Sequence, residues 1–272
     1  MEIINFYSCH RDSLINNQGL GYCIVDNILP SDVCEDVLSK FLELKNEGQF
    51  KNAGMGSTIT NWKSDAFRGD KILFYDSSQH PSLSMLDVIA DDVIEKMNSD
   101  SKFSHFHLTG NYSIQLAAYE DGKGYTRHVD TPKDQNNDEE RTLTLLVYLN
   151  KDWGEEEGGC LRLFNGKQHE EKEEEEIEDI SPIWNRGVMF RSHHVEHEVL
   201  PTFGRERMAV TFWFMGRPDY SNHLSNSSFS SNHTNNKEGR QHDDQEDQTF
   251  RDNWNEMDKS HPLSTRLPKS LG

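Results

Sequence analysis

The segment YTRHVDTP places His128 and Asp130 one residue apart, and positions i and i+2 of a strand project from the same face, so this pair is built to grip one metal ion. Alone it is weak evidence in a chain with 13 histidines and 47 acidic residues. The third ligand has to come from a later strand, and FRSHHVEHEVLP supplies His193, His194 and His197 as candidates. Two histidines and one carboxylate on one side of an ion form the facial triad of non-haem iron(II) oxygenases. That set leaves adjacent positions open for a bidentate keto acid and dioxygen, whereas structural zinc takes four closed ligands. Arg207 stands ten residues after His197 in GRERMAVTFWF. A guanidinium fork suits the far carboxylate of 2-oxoglutarate because it binds a carboxylate through two parallel hydrogen bonds. On this strand Arg207, Ala209, Thr211 and Trp213 share the face expected to line a lumen, and Met208, Val210, Phe212 and Phe214 share the other. Taken singly, a histidine pair is usually unliganded, and an arginine often makes only a surface ion pair worth under ~1 kcal/mol. Taken in order along the chain, they describe a metal site with a carboxylate anchor.

These residues need a frame. GYCIVD reads as a strand, and Pro30-Ser31-Asp32 then opens an amphipathic helix with Val33, Val37, Leu38, Phe41 and Leu44 on one face. Pro81-Ser82 signals a second helix, carrying Leu86, Ile89, Ala90, Val93, Ile94 and Met97 at helical spacing. The Gly-, Asn- and Ser-rich segment between the helices reads as a long mobile loop, sized for a bulky, protein-sized partner. After Ser101 the pattern becomes short strands: YSIQLAAY, RTLTLLVYLN, GGCLRLF, RGVMFR and RMAVTFWF. The fold expected is mainly β with flanking helices: a double-stranded β-helix, or jelly roll, supported by the N-terminal helices. Residues 1–216 are expected to form this domain, with a solvated acidic insertion at 169–179, and residues 217–272 a polar, disordered tail.

The 272 residues carry a formal net charge of −19, which repels a phosphate backbone and an anionic membrane surface alike. Nucleic acid and membrane are therefore not expected partners. No stretch approaches the ~18 apolar residues of a membrane span, and the N-terminus lacks a secretory leader pattern. The four cysteines lack CxxC spacing, which suits a reducing compartment, so cytoplasm or nucleus is the expected location and a monomer the expected state.

FRGDKI (67–72), GYTRHVDTP, VYLNKDW (147–153), GGCLRLF and HEVLP (197–201), in that order, make residues 19–216 resemble the oxygen-sensing type of protein prolyl hydroxylase, within the 2-oxoglutarate dioxygenases. The resemblance implies that His128, Asp130 and His197 bind Fe(II), with His194 as the competing ligand. It implies that Arg207 pairs with the distal carboxylate of 2-oxoglutarate, in a pocket lined by Tyr148, Tyr119, Thr144, Leu161 and Trp213. Arg68 and Asp70 would stand at the base of a loop over the substrate, with Arg141 contacting substrate beside the metal. The reaction implied is 4-hydroxylation of a proline in a protein substrate, consuming O2 and releasing succinate and CO2, with ascorbate as reductant and an oxygen-sensing role. Substrates the resemblance suggests are a hypoxia-inducible-factor-like protein or the adaptor subunit of F-box ubiquitin ligases. The Asn- and Ser-rich tail and the lack of an accessory zinc finger favour the second. The turn before His128 is one residue shorter, and the stretch from His197 to Arg207 one longer, than in the animal oxygen sensors, and the acidic insertion after Phe164 is unusual among them. Two other readings stand beside this one: an oxygenase of the same fold acting on another residue or a small molecule, and an inactive acidic scaffold.

Overall fold

A computed structural model describes residues 4, 14, 21–53, 68–130, 139–165 and 176–217 of the chain. The element order begins with β1 (Tyr22–Asp26), α1 (Ser31–Asn46), β2 (Lys51–Asn52), β3 (Asp70–Phe74) and α2 (Met85–Ser99). Eight strands follow: β4 (Leu108–Tyr119), β5 (Tyr125–His128), β6 (Glu140–Tyr148), β7 (Leu161–Asn165), β8 (Glu176–Ile180), β9 (Arg186–Arg191), β10 (Glu196–Val199) and β11 (Arg207–Gly216). A seven-stranded sheet has the order β1-β9-β6-β11-β4-β3-β2, and a four-stranded sheet the order β5-β10-β7-β8. Every pairing between named strands is antiparallel. This is the expected jelly roll.

The central strands β4, β6 and β11 are buried on both faces, which is why their sequences read as almost unbroken apolar runs. Their alternation divides two environments. Ile114, Leu116, Ala118, Leu143, Leu145, Val147, Val210, Phe212 and Phe214 join one core with Val37, Phe41 and Leu44 of α1 and Ile89, Ala90 and Val93 of α2. Ala117, Tyr119, Leu146, Tyr148 and Ala209 turn the other way, onto Leu161 and Leu163 of the smaller sheet. The helices thus cover the outside of the large sheet, leaving the space between the sheets for chemistry. Pro81–Leu83 forms a short 3-10 turn, and α2 proper starts at Met85, with Ser84 between them.

Two expectations need correction. The acidic run is not wholly a solvated insertion, because Glu176–Ile180 is β8, paired with β7. Ile180 is buried, and the acids find partners: Arg162 donates to both carboxylate oxygens of Asp179 at 2.7 and 2.8 Å, and the Tyr22 hydroxyl donates to Glu178. Four reduced cysteines are not found either. Cys23 is disulfide-bonded, its partner lying outside the described residues, while Cys34 and Cys160 are free. Cysteine pairing depends on proximity across the fold, which spacing along the chain does not report. Most of the expected loop (54–67), the rest of the acidic run and nearly all of the tail also lie outside the described residues.

Phe212 is 1% exposed and packs in the core beneath the helices. Phe212→Ala is expected to lower stability by about 3–5 kcal/mol in urea unfolding, because the cavity it leaves cannot be refilled by neighbours already close-packed.

Candidate metal centre

The antiparallel register of β5 and β10 sets His128 directly opposite His197. In each ring Nδ1 faces the carbonyl oxygen two residues earlier: Thr126 O at 2.7 Å for His128, and Val195 O at 3.0 Å for His197. A carbonyl only accepts, so Nδ1 is the nitrogen that carries the proton when either ring acts as a ligand, which leaves Nε2 as the atom to face a metal. The rings stand 4.2 Å apart, with Tyr125 stacked on His128 at 3.7 Å and Phe190 tilted against His197 at 4.8 Å.

Asp130 does not share a strand with His128, as the i, i+2 argument requires; β5 ends at His128. The carboxylate converges by another route. The Asp130 backbone N–H donates to Ser192 O at 3.0 Å, and carboxylate Oδ2 accepts from Thr144 Oγ1 at 2.7 Å and from the Trp213 indole N–H at 3.0 Å. Ser192 Oγ lies 2.8 Å from Thr144 Oγ1; because Thr144 spends its proton on Asp130, the serine is the donor between them. With Oδ2 occupied, Oδ1 is left facing both imidazoles, 3.7 Å from His128 Nε2 and from His197 Nε2.

Among the described residues, this is the group of His, Cys, Asp and Glu side chains whose ligand atoms come together, all within 4.8 Å of one another. His194 is exposed, its ring against that of His193, and is not part of the group. The electrostatics suit a cation. Burial, then the neighbouring His197, push the His128 imidazolium down to about 3, so the ring is neutral at ordinary pH. Burial alone would raise Asp130, but His197, His128 and the hydrogen bonds from Thr144 and Trp213 outweigh it and hold its carboxyl below the usual range.

The same cavity runs down to Arg207, past Ala209, Thr211 and Trp213, the face expected to be inward. Arg207 is 1% exposed. Its Nε donates to Gly159 O at 2.8 Å, and its guanidinium lies 5.1 Å from the Tyr119 ring and 4.9 Å from that of Tyr148. Gly159 has φ of 65°, and a Cβ there would come within 3.2 Å of Arg207 Cδ, so glycine serves both the turn and the close approach. Arg207 Nη2 and the Tyr148 hydroxyl are buried side by side, close enough to influence each other's charge but without a hydrogen bond of ordinary geometry among the described residues.

Residues 114–215 match the 2OG-Fe(II) oxygenase superfamily. They form a 2OG-Fe(II) oxygenase domain. The chain around this oxygenase domain is 31% identical over 200 residues to human Egl nine homolog 1, covering 71% of this chain and 43% of that protein. It is 29% identical over 201 residues to human prolyl hydroxylase EGLN3, covering 72% of this chain and 78% of that one. The chain spans about half the length of the Egl nine homolog 1 proteins that it matches. A prolyl hydroxylase from Trichoplax adhaerens, solved with a peptide fragment of the hypoxia inducible factor oxygen degradation domain, superposes with a TM-score of 0.62 at 27% identity, over 81% of this chain and 93% of that one.

Oxygenases of this superfamily use Fe(II), 2-oxoglutarate and O2. The oxygenase domain fits both groups. Two imidazoles and a carboxylate are a donor set for iron(II), and the buried guanidinium of Arg207 at the floor is what a carboxylate would pair with. Tyr119, Thr144, Leu161 and Trp213 line the cavity, and so does Arg68, which was expected at the base of a loop over the substrate. Three residues stand elsewhere. Tyr148 lies against Arg207 without lining the cavity wall. Asp70 is behind Arg68, taking hydrogen bonds from its Nε and Nη2 at 2.7 and 2.9 Å. Arg141 stacks on Trp213 at 4.2 Å, so the indole stands between it and Asp130. Gln115, Tyr125 and Ser192 are part of the site and absent from the expectations; Gln115 was findable, because it shares the Ala117–Tyr119 face of YSIQLAAY.

Thr144→Val keeps the shape of that side chain while removing the proton that orients Asp130. We expect metal affinity to fall about 10- to 100-fold, as for other partners of metal ligands. Competition titration with Mn(II) or Co(II) reads this directly, and an unchanged affinity would show that Trp213 alone positions the carboxylate.

Proposed function

We propose that the chain is an iron(II)- and 2-oxoglutarate-dependent dioxygenase that hydroxylates proline, at the 4-position, in a protein substrate. The observation that carries the reading is one cavity holding both the His128, Asp130 and His197 cluster and, at its floor, Arg207, with the Tyr148 ring packed against the guanidinium from outside the wall. His128, Asp130 and His197 would hold the iron through Nε2, Oδ1 and Nε2. Arg207 and Tyr148 would hold the far carboxylate of 2-oxoglutarate. When bound, iron and 2-oxoglutarate supply the oxidising chemistry, with O2 as oxidant and ascorbate as the reductant that keeps the metal ferrous.

The chain's own residues do the rest. The Nδ1–H bonds fix ring orientation, so no rearrangement is needed when metal binds. Each ligand side chain is only 5–6% exposed, which limits water and strengthens the electrostatic hold on charged groups. Similarity to a prolyl hydroxylase solved with a hypoxia inducible factor peptide supports a polypeptide substrate and proline as the target. That relative was solved with a peptide fragment, which favours a substrate that presents a peptide segment to the site.

Incubation of the protein with Fe(II), 2-oxoglutarate and proline-centred peptides is expected to give succinate and a mass gain of one oxygen on proline. Neither product above background would overturn the proposal, and iron binding without either would favour a scaffold. Arg207→Lys keeps the charge and loses the fork; KM for 2-oxoglutarate is expected to rise about 10- to 100-fold, the range for hydrogen bonds to charged groups.

A further inference from the structure

A third buried donor without a partner lies in the same cavity, away from the floor. Gln115 is 3% exposed and lines the wall with the metal-ligand cluster, and its Nε2 makes no hydrogen bond among the described residues. The amide cannot simply be turned over. Its Oε1 accepts from Arg68 Nη2 at 2.8 Å, and Arg68 is locked by the two hydrogen bonds to Asp70 and by its position 4.8 Å over the Tyr125 ring. Flipping Gln115 would set its NH2 against a guanidinium, donor against donor. The orientation of the unpaired donor is therefore enforced by an ion pair whose side chains are 6% and 0% exposed.

Strand register locates that donor. Gln115 pairs with Thr211, four residues along β11 from Arg207 and two from Trp213, the residue that holds Asp130. It therefore stands nearer the metal end of the cavity than the carboxylate floor. Its neighbour across the sheet on β3 is Phe74, and Arg68 also bridges to Tyr125 of β5, so Gln115 lies on the side where the two sheets meet around the ligand strand. A buried N–H without a partner is costly, and here Arg68 and Asp70 are arranged so that the cost persists until an acceptor arrives.

We propose that Gln115 is a specificity-determining residue whose Nε2–H donates to a peptide carbonyl oxygen of the bound polypeptide, next to the residue that is modified. This rests on the reading of the site as a polypeptide hydroxylase. An aliphatic side chain here would bind a proline ring as well but would not select a backbone acceptor. A site built around a hydrogen bond rejects ligands that cannot make it, since the buried donor would then stay unpaired.

The probe is a randomised peptide library with one fixed central proline, from which the best-turned-over member is taken for kinetics. If the unmodified protein oxidises no member, the polypeptide-hydroxylase reading fails, and this inference with it. If it does, Gln115→Leu is expected to raise peptide KM about 5- to 10-fold, with KM for 2-oxoglutarate and Mn(II) affinity unchanged. Gln115→Glu keeps the contact with Arg68 and puts an acceptor where the donor was, so the loss should be at least as large while thermal stability is retained. Replacing peptide carbonyls one at a time by thioamides identifies the acceptor: one replacement should weaken anaerobic binding of the labelled peptide to the unmodified protein and have no further effect on Gln115→Leu. Unchanged peptide KM in both variants, a rise in 2-oxoglutarate KM instead, or strictly additive thioamide effects would each overturn the proposal while leaving the hydroxylase reading intact.

Discussion

A carboxylate whose side chain is 6% exposed has to be stabilised on every side, and the arrangement around Asp130 meets that demand with each oxygen given a different task. Oδ2 takes two hydrogen bonds from the large sheet, from Thr144 on β6 and Trp213 on β11, strands that are themselves paired at Thr144 and Trp213. Oδ1 is turned toward the two imidazoles. Loss of either donor leaves a buried charge short of partners, and the ligand geometry degrades with it. The rest of the site follows: Ser192 supports Thr144, Arg141 lies on the far side of Trp213, and the backbone of Ser192 holds that of Asp130.

The division of labour between sheets explains why the centre is so closely held. The histidines come from the small sheet, whose β5 and β10 have four residues each. The groups that orient Asp130 and bind the far end of the cavity come from long central strands backed by both helices through one apolar core. Short strands supply reach, and long ones supply rigidity.

How much of this the sequence carried depends on which interactions decide each feature. The alternation in RMAVTFWF is local, and it correctly sorted Arg207, Ala209, Thr211 and Trp213 to the cavity. The two helices and most strands were legible for the same reason, whereas β2, β3 and β8 were not, because their runs are short and rich in charge. Selecting His197 over His194 depends on the register between β10 and β5, a non-local quantity that spacing only suggests. Asp130 reached the right place by a route the strand argument did not contain, since a bend after His128 is held by a bond to distant Ser192. Arg141 and Asp70 were expected to meet substrate, and the neighbours they have within the chain, Trp213 for one and Arg68 for the other, are contacts across the fold that no local pattern reports.

Arg207 has a further consequence. Its Nε is tied to the Gly159 carbonyl, and two aromatic rings bracket its guanidinium. The opposite end of the cavity is fixed by the pairing of β5 with β10 and by Asp130's bonds to the large sheet. Neither end can slide, so the span between them is set by strand rise, and the cavity acts as a gauge of carbon-chain length. For a keto acid held as proposed, between Arg207 and the metal end, a chain one methylene shorter or longer would reach one end and not the other, so the discrimination would lie in the backbone rather than in any one contact.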